Sequence, residues 1–307
     1  MTTSEGTAEA GRALRQLKLP ALRLTPQAVS WLQVSPLALV LIVLFALPTV
    51  LFLVVSFFDY DRTGIYPAFI FDNYRDLLTT PATIRVYVSS LRFAVIVWAI
   101  TLVLGFFIAH FLVFHIRSGV TRTVLFLLCA IPFLTSGIIR TIAWIPFLGR
   151  NGAFNQILIK LNVIAHPLDF LLFSDFAVIV TYVHLFTLLM VGPIANAMSK
   201  IDRSLLEAAR DAGASRFRTM VEVIIPLSKT GIALGSLLVF TQVMGDYFVV
   251  KTMSGGQSAS IVSALSTEIQ AMQYPPASAN AMVLVIFVAI LVAGMMRVVD
   301  VRKELAS

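Results

Sequence analysis

Six apolar runs, each close to the length needed to cross a hydrocarbon layer, constrain this 307-residue chain more than any other feature. They lie at about Pro36 to Phe57, Phe93 to Phe114, Thr123 to Leu148, Phe176 to Met198, Leu227 to Val250 and Ala281 to Val299. Backbone inside lipid must satisfy its own polar groups, and a run of this length does so as a helix. The expected fold class is all-α, a polytopic membrane protein with six transmembrane helices. Composition agrees, with 58% hydrophobic and 13% charged residues and a mean hydropathy of +0.90. Soluble domains carry about 25% charged residues.

The runs divide the chain into a tail at 1–34, a six-span domain at 35–300 and a short tail at 301–307. No stretch near the start has the length and cleavage site of a secretory signal, so the first span is expected to act as its own anchor. An even number of spans puts both ends on one side. Thirteen of the 23 Lys and Arg residues fall in the tail at 1–34, the 115–122 return, the 199–226 loop and the tail at 301–307. The positive-inside bias makes that side cytoplasmic. This bias also explains the net charge of +7 without nucleic acid, because the basic residues are not clustered with stacking aromatics.

The loops carry their own signals. Between the first two spans, the amphipathic stretch NYRDLL suggests a short surface helix. After the third span a Gly-Arg-Asn-Gly turn introduces Phe154, Ile157, Leu158 and Leu161 at helical spacing. Residues 252–280, including YPPASAN, are expected outside, before the sixth span. Pro132 and Ser136-Gly137 interrupt the third span.

The charged stretch 199–226, SKIDRSLLEAARDAGASRFRTMVEVIIP, cannot lie in lipid, where each central charge costs about 2.5–3.5 kcal/mol. It reads as two short helices with a hinge. Ser204 and Glu207 have capping-box spacing, Gly213 suits a helix C-terminus, Ser215 can start the second helix, and Pro226 precedes the next apolar run.

Glu207-Ala208-Ala209, Gly213 three residues on, and Val223-Ile224-Ile225-Pro226 after nine more resemble the EAA signature of ATP-binding-cassette importer permeases. Val223 and Ile225 replace the usual Ile and Leu and keep apolar character. The stretches IPFLTSGIIRTIAWIPFLGRNGAFNQIL, EAARDAGASRFRT, GDYFV and YPPASA, in that order, are similar to the B-type permease subunit of bacterial spermidine/putrescine importers. The similarity spans most of residues 35–300. It implies a type I permease fold in a bacterial inner membrane, surrounded by lipid and working by alternating access. It implies as partners a C-type permease subunit, a cytoplasmic ATPase dimer and a periplasmic substrate-binding protein. The loop becomes a coupling helix docking in the ATPase, with Glu207, Ala208, Ala209, Arg210, Gly213 and Pro226 as the coupling residues. The implied cargo is a polyamine.

Catalytic chemistry is not indicated. There is no GxxxxGK[ST] phosphate loop, so ATP and Mg belong to the partner ATPase and this chain is expected to bind no cofactor. His110, His115, His166 and His184 lack metal-site spacing, and the single Cys129 reads as a small packing residue. No metal site and no catalytic residue are assigned.

Charges inside the spans are the candidates for the substrate path. Asp246 could bind an ammonium group, with Tyr247 offering a ring face. Arg140, beside the break in the third span, would repel a polyamine; it could neutralise an acid, Asp246 among them. Trp144, one turn further, could wall the path or anchor at the interface. The acids Asp59, Asp61, Asp72, Asp76, Asp169 and Asp175 form either an attracting rim or a solvated one. An opine, an amino-acid derivative or a chelated metal remain alternative cargoes, and a multi-span enzyme or channel a remote alternative function.

Overall fold

The computed structural model describes residues 26–61, 64–116 and 118–298. Most of the tail expected at 1–34, the end of the sixth run at Val299 and the tail at 301–307 lie outside the described residues. The chain divides into two units, Met1–Leu51 and Phe52–Ser307.

α1 (Pro26–Leu41), in the first unit, passes through a π-helical turn at Ile42–Ala46 into α2 (Leu47–Val55), whose last residues from Phe52 on are assigned to the second unit; the helix starts ten residues before the apolar run expected at Pro36. Pro36 cannot donate to the carbonyl of Leu32; Ser35 Oγ donates to it instead, at 2.9 Å. In the π turn before Pro48 the N–H of Leu47 reaches back to Ile42 O.

The second unit opens with a two-residue hairpin, β1 (Asp59–Tyr60) and β2 (Ile65–Tyr66), then α3 (Asp72–Thr79), the helix expected from NYRDLL. Buried Asn73 fixes α3 by donating to the carbonyls of Ser56 and Phe58, both at 2.9 Å. α4 (Pro81–His110) follows, extended by a π turn at Phe111–His115. It begins twelve residues before the expected Phe93, because Pro81 is preorganised for a first helical turn and Arg85 and Arg92 lie on helix beyond the apolar run.

The third span is not a straight helix. α5 (Gly119–Ala130) tightens into a 3₁₀ turn at Ile131–Leu134 and breaks at Thr135-Ser136, and the chain resumes as α6 (Gly137–Ile142) and α7 (Trp144–Leu148) at 90° to its former course. α8 (Ala153–Lys160) is the amphipathic helix expected after the Gly-Arg-Asn-Gly turn. Buried Asn155 closes that loop through Gly149 O, Leu168 O and Leu168 N.

α9 (Asp175–Ser199) matches the fourth apolar run. After the charged loop comes α13 (Lys229–Gly245), then α14 (Phe248–Met253), α15 (Ile261–Gln270) and α16 (Tyr274–Val298). YPPASAN, expected outside and before the sixth span, forms the start of α16, which begins seven residues ahead of Ala281. Counting each bent pair as one, the described residues provide six candidate spans.

α4, α9 and α13 form the centre. Phe93, Val97, Tyr182, Met190, Ile194 and Val239 are buried there. Lipid supplies no hydrophobic drive between spans, so close backbone approach must hold them together. At Gly231 a Cβ would stand 2.4 Å from Pro193 O, so only glycine allows this α9–α13 contact. Polar clasps join the other ends: Arg92 pairs with Asp175 at the start of α9, and Ser258 Oγ donates to Asp175 Oδ1 at 2.5 Å. Asn280 of α16 donates to both carboxylate oxygens of Glu268 (2.7 and 2.8 Å) while Tyr87 of α4 donates to Asn280 Oδ1 at 3.2 Å.

Candidate functional site

The charged loop folds into the two helices expected, with one correction. α10 is Arg203–Asp211 and its cap is Asp202, whose carboxylate accepts the N–H of Ser204 at 3.0 Å. Ser204 and Glu207 therefore lie inside the helix and do not form its capping box. Asp202 is extended and precedes the first helical residue, and its charged oxygen is a stronger acceptor than a hydroxyl. The same hydrogen bond holds the Asp202 carboxyl below its ordinary range.

Gly213 ends α10 as expected. Its φ is +80°, its N–H donates to Arg210 O at 2.8 Å, and Ala214 N–H reaches Ala209 O at 3.0 Å. This pair of bonds is the Schellman arrangement, which needs a left-handed residue at this point. Ser215 caps α11 (Arg216–Thr219) by accepting from Arg218 N–H at 3.2 Å. A π turn at Met220–Ile224 leads into α12 (Ile225–Leu227), which carries Pro226, and the chain then bends by 69° into α13. Buried Ser228 sits at the bend and donates to Ile224 O at 2.7 Å.

Glu207, Ala208 and Arg210 are exposed on the knob and Ala209 is half-buried. Leu205 and Phe217 are exposed beside them, at 49% and 71%. Two large apolar side chains are thus exposed in an otherwise charged loop. Their signal was present in the sequence as the only Leu and Phe on the outer faces of α10 and α11.

The candidate path residues gather at two breaks. α14 packs against α6, and both lie along α9, so the interruption after α13 and the interruption in the third span meet. Discontinuous helices of this kind free backbone groups at membrane depth, where transporters place their sites.

Asp246 stands at the first break. Its Oδ1 accepts from Tyr182 OH at 3.1 Å and from Val249 N–H at 2.8 Å, and its carbonyl accepts from Ser260 Oγ at 3.1 Å. The carboxylate thus caps α14 and ties it to α9. Tyr247 does not present a free ring: the Lys251 ammonium lies 5.2 Å from its centroid and bonds its hydroxyl at 3.2 Å.

Arg140 and Trp144 share the second break. The Arg140 guanidinium lies over Phe133, 5.6 Å from the ring centroid, and its Nε and Nη1 are buried without a hydrogen-bond partner among the described residues. No ion pair joins it to Asp246 among the described residues, so the acid it was expected to neutralise is not that one. Trp144 Nε1 donates to His184 Nδ1 at 3.0 Å. An accepting Nδ1 leaves the histidine proton on Nε2, so Arg140 and His184 both point donors into their surroundings. They line two adjoining cavities of about 160 and 300 Å³, walled otherwise by Phe133, Trp144, Phe147 and Leu188. From sequence His184 was noted only as lacking metal-site spacing; its hydrogen bond to Trp144, 40 residues away, has no local sequence signal.

Residues 101–304 match the family model described as binding-protein-dependent transport system inner membrane component. The chain is 36% identical over 223 residues to the spermidine/putrescine transport system permease protein PotB of Escherichia coli (strain K12), covering 72% of this chain and 80% of that one. It is 33% identical over 248 residues to the protein of the same name from Haemophilus influenzae, covering 80% and 85%. Among solved structures, a bacterial alginate ABC transporter in complex with alginate pentasaccharide-bound periplasmic protein aligns with a TM-score of 0.73 at 15% identity, over 88% of this chain and 93% of that one. The all-α architecture is that of the type I importer permeases, and the chain belongs to the family of binding-protein-dependent transport system inner membrane components, as a multi-pass permease subunit and not an enzyme.

Proposed function

We propose that this chain forms half of the translocation pathway of an importer for a polyamine of the spermidine/putrescine class. The observation that carries the cargo is the 36% identity to a spermidine/putrescine permease over 72% of the chain, a stretch that includes most of the membrane domain. The other half of the pathway is a C-type permease subunit, and a periplasmic binding protein delivers the solute. The ATPase dimer docks on α10 and α11 and supplies ATP and Mg, since this chain has no phosphate loop of its own. The knob and both chain ends face the cytoplasm, in keeping with the basic residues of the knob and of the first tail.

Glu207, Ala208, Arg210 and the exposed Leu205 and Phe217 form the docking face. Gly213 and the Pro226–Ser228 bend carry its movement into α13. Asp246, Tyr247, Arg140 and Trp144 lie where the two broken spans meet and are the proposed path residues. The test is ATPase activity of the complete complex with its binding protein, across polyamines, opines, amino-acid derivatives and chelated iron. Stimulation by spermidine or putrescine is expected. Stimulation by another solute alone would overturn the cargo and leave the permease assignment standing.

A second reading is favoured by one observation, the unpaired donors of Arg140 beside His184. A cationic cargo gains nothing from them, whereas a carboxylate would satisfy them. This reading keeps the permease and makes its cargo an opine or amino-acid derivative, and the same panel separates the two.

A further inference from the structure

A third cavity lies away from the two breaks, on the coupling-loop side of the membrane domain. It is a cleft of about 290 Å³ between the π turn that ends α4, the first turns of α5 and the last turns of α9. Its floor is Gly192, Ala195, Asn196 and Ser199, a spacing of three, four and seven residues that puts all four on one face of α9. Small side chains there leave a groove where larger ones would have filled it. A Cβ added at Gly192 would meet nothing within 4 Å, which confirms open space at that point of the floor.

Polarity in the cleft is graded by depth. Arg122 and Thr123 in the first turn of α5 and Asn196 and Ser199 in the last turn of α9 stand at the helix ends. One turn further in, about 5.4 Å, the lining is Phe126 on α5 and Gly192 on α9, with Leu112 beside them. No carboxylate lines the cleft, and Arg122 is in no ion pair among the described residues. The site offers a cation and hydrogen-bonding groups at headgroup depth and an apolar slot beneath.

We propose that this cleft binds an anionic phospholipid of the leaflet on the coupling-loop side, its phosphate on Arg122 and an acyl chain along the floor of α9. Basic pockets between spans on the cytoplasmic side suit such headgroups, and a polar peptide segment would leave the Phe126–Leu112–Gly192 slot unfilled. The site touches the last turn of α9, from which Lys200 leads into α10, so an occupied cleft braces the helix that carries the coupling loop. The inference rests on the membrane disposition of the family and is independent of the cargo.

The experiment uses the complete transporter, purified in detergent, exchanged into mixed phosphatidylglycerol and phosphatidylcholine micelles, and analysed by native mass spectrometry. Phosphatidylglycerol should be retained selectively. Arg122→Gln should reduce that selectivity about fivefold, the worth of one basic side chain at an anionic surface. Gly192→Leu, which fills open space and leaves the charge untouched, should reduce retention of both lipids. Unchanged retention in both variants would overturn the site. Loss in Arg122→Gln with full retention in Gly192→Leu would overturn it as well, reducing the effect to surface charge. Disassembly of the complex by Gly192→Leu with lipid retention intact would show the cleft to be a protein interface.

Discussion

Tyr182 in the middle of α9 donates its hydroxyl to Asp246 Oδ1 at 3.1 Å, across 64 residues of sequence, and so holds the broken end of the fifth span against the centre of the domain. Tyr182 is fully buried, and the same carboxylate oxygen caps α14 through Val249. The acid that looks from sequence like a cargo ligand thus has a structural duty first.

That duty and a cargo role separate by substitution. Asp246→Ala removes a cap and leaves a buried hydroxyl unpaired, a combined cost of about 2–4 kcal/mol. It should lower the unfolding temperature of the solubilised complex. Asp246→Asn keeps an acceptor for Tyr182 and Val249 and should be destabilised by about 1 kcal/mol or less. If Asp246→Asn is stable yet loses stimulation by spermidine, the negative charge itself serves the cargo. If stimulation survives, Asp246 is structural only.

The docking face makes a different demand. Leu205 and Phe217 are exposed on the knob, and burying either against the proposed ATPase partner would contribute about 1.5–3 kcal/mol. Leu205→Glu should weaken copurification of the ATPase at least tenfold while the chain still inserts and pairs. Gly213→Val should spare insertion too, but a β-branched residue at φ +80° costs about 1–2 kcal/mol and misdirects α11, so ATPase and transport should uncouple. Wild-type coupling in both variants would remove this face from the mechanism.

The knob's entry should also titrate. The N–H of Ser204 lowers the Asp202 carboxyl from its ordinary 3.8. A depressed folded value means the cap's contribution is fully present above pH 3.8 and is lost as pH falls through the lower folded value. Asp202→Asn keeps the acceptor without the titration. The ratio of Ser204 amide exchange in wild type to that in Asp202→Asn should therefore be flat above pH 3.8 and rise as the pH falls below it. A ratio independent of pH would place the cap elsewhere.

Much of this was legible in the sequence. The apolar runs located α9 within a residue, and Gly213 and Ser215 set the second half of the knob, because a left-handed terminus and a capping hydroxyl are local requirements. The first half was misread because Asp202 and Ser204 both satisfy the N-cap grammar, and the charged acceptor won. The start of α16 ahead of the sixth apolar run was not read from YPPASAN, because two prolines stop a helix from within but start one in its first turn. Pro132 and Ser136-Gly137 announced a break in the third span, yet neither its 90° angle nor the packing of α6 against α14 is a local property of those residues. The meeting of the two breaks, and the Tyr182–Asp246 and Trp144–His184 bonds, join residues far apart in sequence and leave no local trace.

Arg140 supplies the remaining prediction. Two of its nitrogens are buried without acceptors among the described residues, and a buried donor left unpaired costs about 1–3 kcal/mol. Methionine matches the length of the Arg stem and would sit against Phe133 and Leu188 without that cost. Arg140→Met should therefore raise the unfolding temperature of the complex. If transport falls at the same time, the charge is maintained at the expense of stability because the transport cycle uses it, as expected of residues at functional sites. Trp144→Phe serves as the companion: it removes the donor to His184 and keeps the apolar wall, so a matching transport defect would show that the two residues act as one site. Full transport in Arg140→Met, with the gain in stability, would assign the guanidinium no part in the path and would remove the basis for a carboxylate-bearing cargo.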